Sequence, residues 1–224
     1  MTEHSQEDHE WSPWPGWSMI SANNNAGFTL WFTGLPGTGK TTLAHLVKKA
    51  LVARGYRVEI IDKQTLSRWL KQELHIDEDI QEDQSHTVGY DAFITYICTI
   101  LARNGVITIT CSVSPHQEAR KHAREQIRHF IEVYLYCPDE QRLKRLQEQE
   151  HTSSTPIIAE QLYQPPTTPE MSIDTSQEPA EGSALHVIAY LEQNGYIAPR
   201  WEDAATAEEM VMIKARLQAL GYLE

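Results

Sequence analysis

The chain has 224 residues, with 19 Lys and Arg against 31 Asp and Glu and 10 His, a formal net charge of -12. That length suits one domain with additions and needs no cross-links, and the acidic balance argues against a surface built to neutralise a nucleic-acid backbone or an anionic membrane. An anionic ligand must therefore be held by a local site. Three cysteines (Cys98, Cys111, Cys137), none at C-x-x-C spacing, argue against a disulfide framework or a zinc site and read as buried thiols of a reducing cytosol.

The N-terminus is acidic and every apolar run is far shorter than the roughly 20 residues that cross a bilayer, so the expectation is a soluble, cytoplasmic protein. Residues 1–26 form a Trp-containing arm, with Trp11, Trp14 and Trp17 in a stretch too broken by Pro and Gly for a helix face. It reads either as an arm draping its indoles on its own or a neighbouring subunit, or as a docking motif for a protein partner.

From Gly27 the pattern becomes regular. GFTLWFTG reads as a strand, Lys40 to about Arg54 as a helix stopped by Gly55, and RVEIID (57–62) as a second strand. A short helix follows with Leu66, Leu70 and Leu74 on one face, then an acidic loop (75–86), then a helix from about Tyr90 to Arg103. VITITC (106–111) and FIEVYLYC (130–137) are buried strands flanking a helix at PHQEARKHAREQIR. A helix from Asp139 to about Glu150, a Ser/Thr/Pro/Gln-rich tract (151–169), an MSIDT strand and a helix from about Gly182 to Gln193 complete the series. Strands alternating with helices predict an α/β fold, a doubly wound parallel sheet with helices on both faces. The core domain is expected over 27–197. Residues 198–224 add a helical extension whose Met210, Ile213, Leu217 and Leu220 stripe packs on its own domain or dimer, or docks a partner.

Gly34-Leu35-Pro36-Gly37-Thr38-Gly39-Lys40-Thr41 matches G-x-x-x-x-G-K-[ST], the P-loop or Walker A motif, which arises by chance in roughly one in a hundred chains of this length. Lying between a strand and a helix, it lets successive backbone N–H groups and a helix N-terminus converge on phosphate oxygens. Lys40 supplies a point charge to the phosphates, and Thr41 a hydroxyl to Mg²⁺, with Thr42 beside it. ATP with Mg²⁺ is the expected ligand. The second strand ends in Asp62, beside this loop in such a fold, where a carboxylate can hold a metal water or take a proton from an acceptor hydroxyl, or simply cap the next helix.

GFTLWFTGLPGTGKTTLA, the IID strand end, NGVITITCSVSP, FIEVYLYCPDE and YQPPTTPEMSIDTS occur in the order and spacing of the adenylylsulfate (APS) kinase family, and the chain resembles it over about 27–196. The resemblance implies a P-loop kinase fold, transfer of the γ-phosphate of ATP to the 3′-hydroxyl of adenylylsulfate with Mg²⁺, and a homodimer. It assigns the phosphate loop through Thr42, equates Asp62 with the first Asp of the family's D-G-D-N and Ser114-Pro115 with its Ser-Pro, and puts Arg145 at the foot of a lid. Arg142 and Arg145 then either supply positive charge to the phosphates or are solvated on a helix face.

The acceptor half departs from the pattern. D-G-D-N-x-R becomes Asp62-Lys63-Gln64-Thr65-Leu66-Ser67, the arginine-rich stretch becomes SHTVGYDAF, Ser-Pro is followed by His116-Gln117, and the K-G-L-Y lid becomes QEHTSSTP. Lost arginines mean lost forked hydrogen bonds to phosphate and sulfate. The expected acceptor is a small nucleotide-like molecule, adenylylsulfate or another nucleotide, nucleoside or modified sugar, met by Lys63, Gln64, His86, Tyr90, Ser114, Pro115, His116 or Arg120. The alternatives are a nucleotide-binding regulatory or scaffold protein without phosphotransfer, and a hydrolase using water. The length of the 151–169 tract suggests a lid closing over the phosphates.

Overall fold

The computed structural model describes residues 27–74, 84–148 and 162–199, together with Gln218. The Trp arm, most of the acidic loop, most of the C-terminal extension, residues 149–150 and residues 151–161 of the expected lid lie outside these. The chain divides into two compact units, one of residues 25–189 and one of residues 1–24 with 190–224. The sheet lies wholly in the first.

Its elements, in chain order, are β1 (Thr29–Thr33), α1 (Lys40–Val52), β2 (Val58–Asp62), α2 (Lys63–Leu74), α3 (Gln84–Arg103), β3 (Ile107–Cys111), α4 (Gln117–Gln126), β4 (Phe130–Tyr136), α5 (Asp139–Glu148) and β5 (Met171–Asp174), with α6 (Ala180–Gln193) running into the second. The five strands are parallel in the order β2-β3-β1-β4-β5. Every residue of β1 and β3 is buried, as expected of central strands covered on both faces. Edge strands β2 and β5 are partly open.

Trp31 of β1 packs with Ile94 and Cys98 of α3, Ala123 of α4, Ile127 and Phe130, with Ile61 and Leu66 at the margin. Leu30 and Phe32, alternating with it on the opposite face, are equally buried. The paired Thr29 and Thr108 share a hydroxyl–hydroxyl bond of 2.7 Å, so these two polar side chains satisfy each other in the centre of the sheet. All three cysteines are free; burial pushes the Cys98 and Cys111 thiols up to about 12, which makes them inert core residues, while Cys137 is half-buried. Among the described residues no helix is long and apolar enough to cross a membrane.

Three boundaries differ from the sequence reading. α3 starts at Gln84, inside the expected acidic loop, and carries Gly89 in its first turns. α2 starts at Lys63, immediately after β2, because Asp62 caps it: Oδ2 accepts from the Thr65 N–H at 3.0 Å and the Thr65 hydroxyl at 2.8 Å. α6 starts at Ala180, directly after Pro179.

Candidate active site

Parallel strands place all their carboxyl ends at one edge, and this edge collects the residues with chemical character. The chain leaves β1 toward β2 on one side, while neighbouring β4 leads to β5 on the other. The phosphate loop opens at this switch.

The loop is shaped by glycines that no other residue replaces. At Gly34 (φ 147°) a Cβ would lie 2.2 Å from the Leu135 carbonyl oxygen, and at Gly37 (φ 85°) 2.7 Å from that of Arg142, so β4 and α5 press directly on the loop backbone. Gly39, left-handed at φ 88°, opens α1 with no side-chain cap and no acidic residue in the first turn, so the helix N-terminus presents its N–H groups and positive dipole end unopposed. Thr38 closes the turn through its hydroxyl to the Leu35 carbonyl at 2.8 Å. Lys40 Nζ donates to the carbonyls of Gly34 and Leu35, both at 2.8 Å. Burial pulls its ammonium down to about 8, with Cys111 and the Asp62 carboxylate resisting and Arg142 adding to the fall. Thr41 and Thr42 stand exposed on the first turn.

Asp62 ends β2 opposite Cys111 of β3, itself in register with Phe32 of β1, so the carboxylate stands one strand away from β1 and its loop, near enough for its charge to act on the Lys40 ammonium. Both bonds to Thr65 fall on Oδ2. The two arginines of α5 frame the loop differently. Arg142 is buried behind it, held by Asp139 at 3.1 Å and donating to the Pro36 carbonyl at 3.4 Å. Arg145 lies beside it, a terminal nitrogen 4.0 Å from where a Gly39 Cβ would be, and donates to the Thr175 hydroxyl (3.0 Å) and carbonyl (2.9 Å) beyond β5.

On the β2–β3 side, Lys63 lies over the Tyr90 ring at 5.6 Å. Ser114 and Pro115 are buried at the end of β3, and His116 Nε2 is buried without a hydrogen-bond partner. The side chains of Gln64 and His86 lie outside the described set. Arg120, expected among the acceptor groups, lies against the Ser114 turn but is committed internally: it is 2% exposed and its three donating nitrogens go to Glu132 (2.8 Å), the Ser114 carbonyl (2.5 Å) and the Gln164 carbonyl (2.6 Å). It is an internal tie. Beside it, Arg124 bonds Glu170 and Glu132; burial opposes ionisation of Glu170, but the bonds from Arg124 and the Glu132 N–H hold its carboxyl below the ordinary value.

Sequence reasoning missed Asp91. It sits 1% exposed in α3, its Oδ1 accepting from Ser112 (3.3 Å) and Ser114 (3.1 Å). Burial raises its carboxyl above the ordinary value, against the Lys63 charge and the two hydroxyls. A signal existed: Asp91 heads the buried stripe Asp91-Ile94-Thr95-Cys98, and an acid at that spacing is a buried acid. The described end of the expected lid is likewise tied down, with the Gln164 N–H on the Pro115 carbonyl (2.9 Å) and the Tyr163 hydroxyl 3.1 Å from that of Thr33.

A parallel sheet in this order, with a glycine loop and its lysine between β1 and α1, defines a P-loop kinase. The sequence profile described as "Adenylylsulphate kinase" matches residues 26–174. The adenylyl-sulfate kinase of Halothermothrix orenii is 34% identical over 180 residues, spanning 78% of this chain and 94% of that protein. That of Picosynechococcus is 32% identical over 181 residues, spanning 77% and 98%. The structure of the Mycobacterium tuberculosis APS kinase CysC in complex with AMPPNP and APS superposes with a TM-score of 0.63 at 25% identity, over 75% of this chain and 98% of that one. The chain belongs to the adenylylsulphate kinase family, and is an ATP-dependent phosphotransferase with an alcohol group as acceptor.

Proposed function

We propose that the chain transfers the γ-phosphate of Mg·ATP to a hydroxyl of a small nucleotide-like acceptor in the cytoplasm, adenylylsulfate, on which its relatives are named, being the first to test. The supporting observation is that Lys40 and Asp62 share the carboxyl-end edge of the sheet, the Asp62 charge acting on the buried ammonium while both of its bonds to Thr65 fall on one oxygen. In this reading the loop N–H groups from Gly37 to Thr42 and the Lys40 ammonium hold the triphosphate, with Arg142 bracing the loop and Arg145 flanking it. The exposed Thr41 hydroxyl and the second Asp62 oxygen are hard donors of the kind Mg²⁺ takes, and the bound ion supplies neutralising charge for the transferring group. Asp62 orients the acceptor hydroxyl and accepts its proton. Lys63, Gln64, His86, Tyr90, Ser114, Pro115 and His116 belong to the acceptor side, and the chain works as a homodimer. The regulatory alternative rests on the altered acceptor half and on two extensions that lie almost wholly outside the described residues.

Asp62→Asn separates catalysis from capping. The amide oxygen still accepts from Thr65, so thermal stability should hold, while loss of the base should lower kcat for acceptor-dependent ADP release by about 10²–10⁴-fold. A variant that loses stability but keeps kcat would reduce Asp62 to a helix cap.

A further inference from the structure

Three elements meet at the turn that follows β3, and one buried carboxylate joins them. Ser114 is, among the described residues, the one non-glycine residue with positive φ, at 42°, a conformation L side chains adopt under constraint. Its N–H donates to Ser112 Oγ at 3.2 Å, Ser112 Oγ donates to Asp91 Oδ1 at 3.3 Å, and its own hydroxyl donates to the same oxygen at 3.1 Å. A single oxygen thus holds both arms of the strained residue. The Ser114 carbonyl takes Arg120 of α4, and Pro115 and Gln117 exchange bonds with Gln164 of the segment that ends the lid tract, at 2.9 and 3.0 Å.

Packing alone does not call for an acid here. A buried carboxylate is costly unless its bonds return the cost, and Asp91 Oδ2 is buried with no hydrogen-bond partner. Lys63, steered by the Tyr90 ring next to Asp91 in sequence, is the nearby positive charge on the acceptor side. We propose that Asp91 is a positioning residue for the acceptor: it locks the Ser112–His116 turn so that the acceptor wall and the foot of the lid tract move as one piece. The inference rests on reading the β2–β3 strand ends as the acceptor side of the kinase.

Amide hydrogen exchange of the full chain tests this without requiring a known acceptor. In Asp91→Asn, whose amide oxygen keeps both bonds but loses the charge that strengthens them, and in Asp91→Ala, which loses them, the amides of Ser114, Gln117 and Gln164 should exchange about three- to tenfold faster, with Gly39 to Leu43 unchanged. Steady-state kinetics should then show the acceptor KM raised about as much, and the ATP KM unmoved. If Asp91→Ala does not fold, Asp91→Asn and Ser112→Ala carry the test. Unchanged exchange at the turn, equal loosening of the phosphate loop, or an ATP KM that rises in step with that of the acceptor would overturn the proposal. A wild-type protein without acceptor-dependent turnover would sink the kinase reading instead, and the exchange data would still decide the role of Asp91.

Discussion

Replacing Lys40 with alanine should lower kcat/KM for ATP by about 10²–10³-fold, the loss that follows removal of one preorganised donor to developing charge. The reason is geometric as well as electrostatic. Lys40 reaches back over its own loop to the Gly34 and Leu35 carbonyls, so its ammonium sits in the concavity that the glycines enclose rather than in solvent. Burial pulls its pKa to about 8, so the group is still mostly protonated at pH 7, and the fold holds that charge at a cost. Such a cost makes sense only where an anion returns it. Lys40→Arg should be nearly as damaging, because a planar fork cannot take the place of a point charge between two carbonyls 2.8 Å away. Thermal unfolding of both variants should stay close to wild type. A Lys40→Ala enzyme within threefold of wild-type kcat/KM would remove the lysine from the phosphate site.

Arg120→Met should be the most destabilising single change at the acceptor side, by about 3–5 kcal/mol, the range for breaking a buried ion pair. At roughly 2–4 °C per kcal/mol for a chain of this size, the melting temperature falls by roughly 6–20 °C. The substitution leaves Glu132, 7% exposed, with only the half-exposed Arg124 as partner, and it strips donors from the Ser114 and Gln164 carbonyls at once. Arg120→Lys cannot rescue it, since one ammonium does not reach three acceptors in the directions of a guanidinium. Thermal unfolding in the absence of ligands checks this. An Arg120→Met protein that melts like wild type but has a raised acceptor KM would return the residue to the substrate.

The contrast between these two residues shows where the sequence was legible. Lys40 belongs to a local motif: the glycines, the lysine and the threonine are contiguous, and the buried run TLWFT before them and the apolar stripe Leu43-Ala44-Val47-Leu51 after them announce strand and helix. The strand and helix series came through for the same reason, since β-branched runs such as ITITC carry their own signal. The acceptor side is assembled from residues far apart in the chain. Arg120 follows the Ser-Pro turn and looks available to a ligand, yet its partners are Glu132 and Gln164, 12 and 44 residues away. Its burial was readable only in the spacing Arg120-Ala123, which puts it on the buried face of its helix, just before the buried Ile127. Helix α3 starts before the point its sequence signals, because Gly89 and the polar run before it have weak helix propensity, which tertiary packing overrides. The cap at Asp62 was anticipated; that it would start α2 at the very next residue was not.

Phosphoryl transfer is tested most directly by following the phosphorus itself. With ATP labelled in the γ-phosphate, Mg²⁺ and adenylylsulfate, label should appear on the adenylylsulfate hydroxyl in step with ADP, and should fail to appear with Lys40→Ala or Asp62→Asn. Transfer to another nucleotide or nucleoside from a parallel panel would keep the kinase and change its acceptor. Bound ATP whose label never leaves it, or leaves only as free phosphate, with every acceptor offered would contradict the account.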